Sequence, residues 1–103
     1  MSNKRIAIFS PVSPIRSGIS DYTEKLLDLL KQHYAIDLFV DGYQPNLRIV
    51  NQEIAIFNRR DFEWRQRLND YYSIIYQLGN HVSNTYMYPV LFRHPGIVVL
   101  HDA

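Results

Sequence analysis

Three short stretches of this chain bring together residue types that can do chemistry. The first is Ser10-Pro-Val-Ser-Pro-Ile-Arg-Ser17-Gly18-Ile-Ser20, which follows an apolar run and opens a helical pattern. Bare N–H groups and the helix dipole favour an anion at such an opening, and glycine at position 18 lets a phosphate or a sugar approach the backbone. The same residues have a plainer use, with Ser17 capping the helix and Gly18 turning the chain. The second stretch is Gly79-Asn80-His81, a turn signal that also places an amide and an imidazole after an apolar run. The third is His101-Asp102, after Ile97-Val-Val-Leu100. A histidine there can hydrogen-bond a ligand hydroxyl, and Asp102 can orient its ring or bind a hydroxyl itself. The alternative for His101 is a satisfied histidine at a strand end. Of the other histidines, His94 reads as loop and His33 as the end of a helix.

The elements that must position these groups alternate along the chain. Ile6–Phe9, Ile36–Val40, Ile54–Phe57, Ile74–Tyr76 and Ile97–Leu100 are short and rich in β-branched residues. Consecutive apolar positions of this kind mark strands buried on both faces of a parallel sheet. Gly18–His33 has helical spacing, with Ile19, Tyr22, Leu26, Leu29, Leu30 and His33 on one stripe and Asp21, Glu24, Lys25, Asp28 and Lys31 opposite. A second helix is expected from an Asp61 cap through Trp64 and Leu68. A third is expected to begin between Asn80 and Ser83 and to be kinked or stopped by Pro89. His94-Pro95-Gly96 breaks the chain before the last strand. The stretch from Gly42 to Gln52 reads as a loop, a short strand, or both.

The resulting order, β-α-β-β-α-β-α-β, is that of a Rossmann-like, doubly wound α/β fold with a mostly parallel sheet of about five strands. Ile6–Phe9 should lie at its centre, flanked by Ile36–Val40 and Ile74–Tyr76, with Ile97–Leu100 outside the latter. In such sheets ligands bind beyond the carboxyl ends of the strands, where all three polar stretches fall. The 103 residues suit one domain. The chain stops at Ala103, just past the fifth strand, where this fold ordinarily continues into another helix. The expectation is therefore a domain that belongs to a longer protein.

Composition removes several function classes. Eleven basic residues face ten acidic ones, so no net field favours nucleic acid or an anionic membrane. The basic residues are scattered, with only Arg59-Arg60 adjacent. There is no cysteine, which excludes disulfides and thiolate metal sites and fits a reducing compartment. The four histidines lack metal-finger spacing, and no apolar run approaches the roughly 20 residues that span a bilayer. The expectations are a cytoplasmic location, no metal and no cofactor. The first loop has neither the G-x-G-x-x-G of dinucleotide binders nor the G-K-[ST] of P-loops.

Several segments, taken in order, resemble the N-terminal domain of glycosyltransferase family 4, enzymes of GT-B architecture. They are Pro11-x-x-Pro14-x-x-Ser17-Gly18-Ile19-Ser20-Asp21-Tyr22, then Tyr76-Gln77-Leu78-Gly79-Asn80, then Tyr86-Met87-Tyr88-Pro89. The series ends with Arg93-His94-Pro95-Gly96-Ile97-Val98-Val99-Leu100-His101-Asp102. The resemblance implies two Rossmann-like domains facing across a cleft. Together they would transfer sugar, with retention, from a nucleotide-sugar donor to a sugar or lipid-linked acceptor. It implies that this domain is the acceptor side, with Gly18 near the donor phosphates and His101 near the transferred sugar. Ser17, Gly18, Gly79, Asn80 and His81 would contact donor phosphate or acceptor, and His101 and Asp102 would be catalytic. The donor-binding C-terminal domain, with its Glu-x7-Glu motif and basic pair, is absent from this chain, so the chain alone is expected to be inactive. One departure is local: Asn84 stands where a histidine is expected, and His81 is the neighbouring imidazole.

Two other classes compete. One is a non-catalytic flavodoxin-like or receiver-like binding module. A receiver needs acidic residues after strand one and an aspartate after strand three, where this chain has Ser10-Pro11 and Asn58-Arg59. A flavodoxin-type loop is hydroxyl-rich, which Ser10, Ser13, Ser17 and Ser20 satisfy loosely. The other is a scaffold domain that has lost its catalytic half.

Overall fold

The computed structural model describes residues 4–10, 18–41, 54–78 and 85–100. Along the chain these form β1 (Lys4–Phe9), α1 (Gly18–Leu30), β2 (Tyr34–Val40), β3 (Ile54–Asn58) and a single 3-10 turn (Arg59–Asp61). There follow α2 (Phe62–Asn69), β4 (Ser73–Leu78), α3 (Met87–Arg93) and β5 (Ile97–Leu100). The five strands make one sheet in the order β3-β2-β1-β4-β5, and every pairing is parallel. The expected centre and flanks are all found. This order, 3-2-1-4-5, is that of the dinucleotide-type Rossmann sheet and not the 2-1-3-4-5 of flavodoxin.

Alternation along β1 sends its side chains to two cores. Ile6 and Ile8 join Ile36, Leu38, Val40 and Ile54 beneath Leu27 of α1. Ala7 and Phe9 join Phe39, Ile74, Tyr76 and Leu78 beneath Phe62 at the start of α2 and Met87 and Val90 of α3. The step from β1 to β2 runs one way along the sheet, and the steps to β4 and β5 run the other way. A constant crossover hand puts their helices on opposite faces, as found.

The second core is built on a row of rings. Phe57, Phe39, Phe9 and Tyr76 are paired at one level across β3, β2, β1 and β4. Successive centroids lie 5.7, 5.1 and 5.1 Å apart, all stacked. Phe62 closes over the row at 5.0 Å from Phe9 and 5.2 Å from Phe39. Stacked and tilted rings at these distances add favourable quadrupole terms to the burial of apolar area.

Several local expectations are corrected. The face of α1 that meets the sheet is centred on Thr23 and Leu27, both fully buried, while Tyr22 and Leu29 are exposed. The stripe is turned by one residue, because a threonine whose hydroxyl finds a buried partner can replace an apolar residue. Asp61 precedes α2 but makes no capping bond. The cap belongs one turn earlier, where Asn58 Oδ1 accepts from the Arg60 N–H at 3.1 Å and starts the 3-10 turn. Trp64 and Leu68 face solvent, and Phe62 is the buried anchor of α2. The third helix begins at Met87, and it continues past Pro89 to Arg93. Proline sits in its first turn, where no intrahelical acceptor is waiting for the missing N–H. The stretch 42–52 lies outside the described residues.

β5 is not buried on both faces. It is an edge strand, and Ile97, Val98 and Leu100 are exposed. Its lead-in runs very close to β4, since a Cβ on Gly96 would stand 2.3 Å from the Ile74 carbonyl oxygen. Glycine is required there by contact with backbone.

At the other end of the second core lies a buried charge. Asp37, in the middle of β2, is fully buried. Its Oδ1 accepts from Arg5 Nη1 at 2.6 Å, and its Oδ2 accepts from Arg65 Nη2 at 3.0 Å and from the Tyr71 hydroxyl at 2.5 Å. Arg65 also lies 4.1 Å over the Phe57 ring. Burial opposes the charge on Arg65, but the bond to Asp37 and its charge raise the guanidinium above its ordinary value. Burial, then the bond to Asp37, pushes the Tyr71 phenol well up.

Asp37→Ala should cost about 2–4 kcal/mol in urea unfolding, since it leaves two partly buried guanidiniums and a buried phenol without their acceptor. A loss under about 0.5 kcal/mol would mean that the cluster is only a surface pair. A pH dependence follows as well. Burial, then the Glu63 charge, pushes the Tyr76 phenol up to about 12, and its hydroxyl donates to the His94 carbonyl at 2.6 Å. The unfolded chain ionises its tyrosines near about 10. Stability held by these phenols is therefore full below about pH 10 and lost as pH rises toward about 12. Phenolate absorbance should show two of the eight tyrosines titrating only together with loss of structure. Smooth titration of all eight with the fold intact would refute it.

Candidate functional site

The chain leaves β1 for a helix on one face and leaves β4 for a helix on the other. Because β1 and β4 are neighbours, the boundary between them is the topological switch point of the sheet, beyond whose carboxyl end open α/β sheets bind ligands. β5 lies next to β4 and points the same way. The segments that follow Phe9, Leu78 and Leu100 therefore all leave one edge of the sheet, from three adjacent strands.

Of the residues singled out from sequence, Gly18 is described: it is the first residue of α1, so its backbone belongs to a helix N-terminus at this edge. Ser17, Gly79, Asn80, His81, His101 and Asp102 lie outside the described residues, as does Asn84. Arg93 and His94 are described and have a different use. Arg93 donates to Glu63 Oε2 from Nε and Nη2 at 3.2 and 3.1 Å, and His94 Nε2 lies 3.0 Å from Glu63 Oε1. Burial pushes the Glu63 carboxyl up, but the bonds and charges of His94 and Arg93 hold it below its ordinary value. The His94 ring meets Phe62 edge-on at 5.1 Å. This cluster clamps α3 to α2 and is structural.

At this edge three polar residues are fully buried: Ser10 and Gln77, which stand in the segments quoted from the sequence, and Thr23, which was not singled out there. Ser10 follows β1, its N–H donates to the Phe39 carbonyl at 3.4 Å, and its hydroxyl shares a 2.7 Å hydrogen bond with Thr23 of α1. Phe9 pairs with Tyr76, so Ser10 and Gln77 stand one step further along adjacent strands. The Ser10–Thr23 bond fixes the exit of β1 against the second turn of α1, and with it the position of the helix N-terminus. Its sequence signal is faint: a serine closing a buried run, and one threonine among the leucines of α1.

The rim continues over β2 and β3. Asp41, which follows β2, accepts from Arg59 Nε at 2.5 Å. Asn58 Oδ1 accepts from Arg60 Nε at 3.3 Å, and Asp61 Oδ1 accepts from the Trp64 indole at 3.4 Å. The Arg59 guanidinium lies 5.8 Å from the centre of the Tyr86 ring, which is 6.5 Å from that of Phe9. These two contacts carry the rim from the end of β3 back to the end of β1.

Among the described residues no group of three or more histidine or acidic side chains is placed to hold a metal ion, and no helix is long and apolar enough to cross a membrane. The fold is that of a doubly wound α/β domain with a topological switch point between β1 and β4. No family model, curated protein or solved structure matches the chain.

If the Ser10–Thr23 bond ties β1 to α1, Ser10→Ala and Thr23→Val should each cost about 1 kcal/mol, since each removes a buried hydrogen bond. The double variant should cost less than the sum by about 0.5–1.5 kcal/mol. Additive losses in a double-mutant cycle would show the two hydroxyls to be uncoupled.

Proposed function

We propose that the chain is the N-terminal, acceptor-side domain of a retaining GT-B glycosyltransferase, which moves a sugar from a nucleotide-sugar donor to an acceptor. The observation that carries this reading is the adjacency of β1, β4 and β5 in one parallel sheet. It gives the three segments that resemble family 4, those containing Ser17-Gly18, Gly79-Asn80-His81 and His101-Asp102, a common edge to leave from. The strand order also supports it over a flavodoxin-like module.

In this reading each group has a physical task. Breaking the bond between sugar and nucleotide diphosphate develops negative charge on phosphate and positive charge on the sugar ring. Preorganised N–H donors such as those of the first turn of α1, at Gly18, stabilise the first. Hydroxyl contacts from His101, oriented by Asp102, hold the sugar for attack. Asn80 and His81 contribute acceptor contacts. A second domain, facing this edge, holds the donor nucleotide, and closure of the cleft excludes water that would hydrolyse the donor. The protein so formed is a cytoplasmic enzyme that needs no metal.

The test is His101→Ala in an enzyme that contains this domain and its donor-binding partner domain. kcat/KM should fall by about one to three orders of magnitude, about 1.4 kcal/mol for each tenfold. The melting temperature should hold, because a side chain at a cleft mouth leaves no large core cavity. A variant that melts early yet keeps its rate would end the case for His101, and absence of any sugar transfer by the unaltered enzyme would end the reading itself.

A further inference from the structure

The adjacent arginines on the carboxyl rim are built alike. Arg59 is held through Nε by Asp41 Oδ1, and Arg60 is held through Nε by Asn58 Oδ1. Among the described residues neither guanidinium has a partner at Nη1 or Nη2, and both side chains are exposed. Arg60 faces no carboxylate among these residues: Asp41 is bound to Arg59, and Asp61 is turned toward the Trp64 indole. The two forks are carried on one 3-10 turn whose start is fixed by the Asn58 side chain. The turn follows β3 at the ligand-binding edge of the sheet, and the Tyr86 ring adjoins Arg59.

Each feature suits recognition of a tetrahedral, multiply charged oxyanion. A guanidinium held at Nε keeps its two terminal amino groups as a planar fork that matches two oxygens. Holding the fork beforehand reduces the side-chain entropy that binding would otherwise cost. A purely structural pair would place a carboxylate on each arginine, and Arg60 has an amide instead.

We propose that Arg59 and Arg60 form an anion site for a phosphate or diphosphate group on the ligand that occupies the carboxyl edge. The site rests on rim geometry and stands whether or not the ligand is a glycosyltransferase substrate. The phosphate could belong to a nucleotide donor or to a phosphorylated sugar acceptor.

The experiment is calorimetric titration of the full 103-residue chain with inorganic pyrophosphate at constant ionic strength. Arg59→Gln, Arg60→Gln and Arg67→Gln are run beside it, and circular dichroism confirms the fold of each. Saturable binding is expected, weakened about tenfold or more by each of the first two changes. It should be unmoved by the third, since Arg67 is an exposed arginine on α2 away from the turn. No saturable heat with the unaltered chain, or equal weakening by Arg67→Gln, overturns the site. Competition then assigns the source. Displacement by a nucleoside diphosphate at lower concentration than by a hexose phosphate gives the group to a donor, and the reverse order gives it to an acceptor. Pyrophosphate binding that survives while no sugar transfer is found would keep this site and refute only the reaction.

Discussion

A carboxylate in the middle of a strand covered on both faces is tolerated only where the protein supplies the solvation that water would have given. Asp37 meets that condition with Arg5 from β1, Arg65 from α2 and Tyr71 from the approach to β4. An ion cluster of this kind adds little net stability compared with well-packed apolar groups, but it is specific, because breaking it is expensive. It can form only when β1 and β2 are in their observed register, α2 lies over that face, and the chain enters β4 beside β1. It therefore selects one arrangement of four segments from the many that apolar burial alone would accept. Both oxygens of its carboxylate are engaged within the chain.

The opposite end of the sheet follows a different rule. Four aromatic rings at one level span β3 to β4, and at the next position three of the four strands turn polar, with Ser10 after Phe9, Gln77 after Tyr76 and Asn58 after Phe57, while β2 continues with buried Val40. The ring row acts as a floor. It is stiff, because stacked rings in a filled core have few alternative packings. A stiff floor holds strand ends in fixed places, and fixed strand ends are what a site built from loops needs.

Much of this was legible in the chain itself. Apolar runs of β-branched residues gave the strands, and their alternation with amphipathic stretches, together with a rule of handedness, gave the order of the sheet. Less legible was anything decided by a partner distant in sequence. Asp37 reads as an interruption in Ile36–Val40, and only Arg5, Arg65 and Tyr71, 28 to 34 residues away, explain it. Thr23 looks like part of the polar face of α1 until Ser10 supplies its hydrogen bond. Pro89 looks like a stop because a proline's effect depends on its distance from the helix start, which sequence does not mark. The edge position of β5 followed from the strand order, and its exposed Ile97, Val98 and Leu100 go with it. The proposed site divides in the same way. The switch point follows from strand order, whereas the paired forks of Arg59 and Arg60 depend on which atom of each guanidinium is already engaged.

The two ends of the sheet thus separate stability from chemistry. At the Asp37 end one carboxylate is shared by two guanidiniums and a phenol, and both of its oxygens are engaged. At the carboxyl end the charges are held by one contact each and keep their remaining donors outward. A pair of arginines bound to two carboxylates would have been a second structural cluster, with its donors consumed. The substitution of an amide, Asn58, for one of those carboxylates leaves the Arg60 charge offset only by Asp61 of the same turn, which is bonded to the Trp64 indole. What distinguishes this edge is arrangement and not net charge: Arg59 and Arg60 are each engaged through Nε, which leaves their terminal amino groups directed away from those contacts.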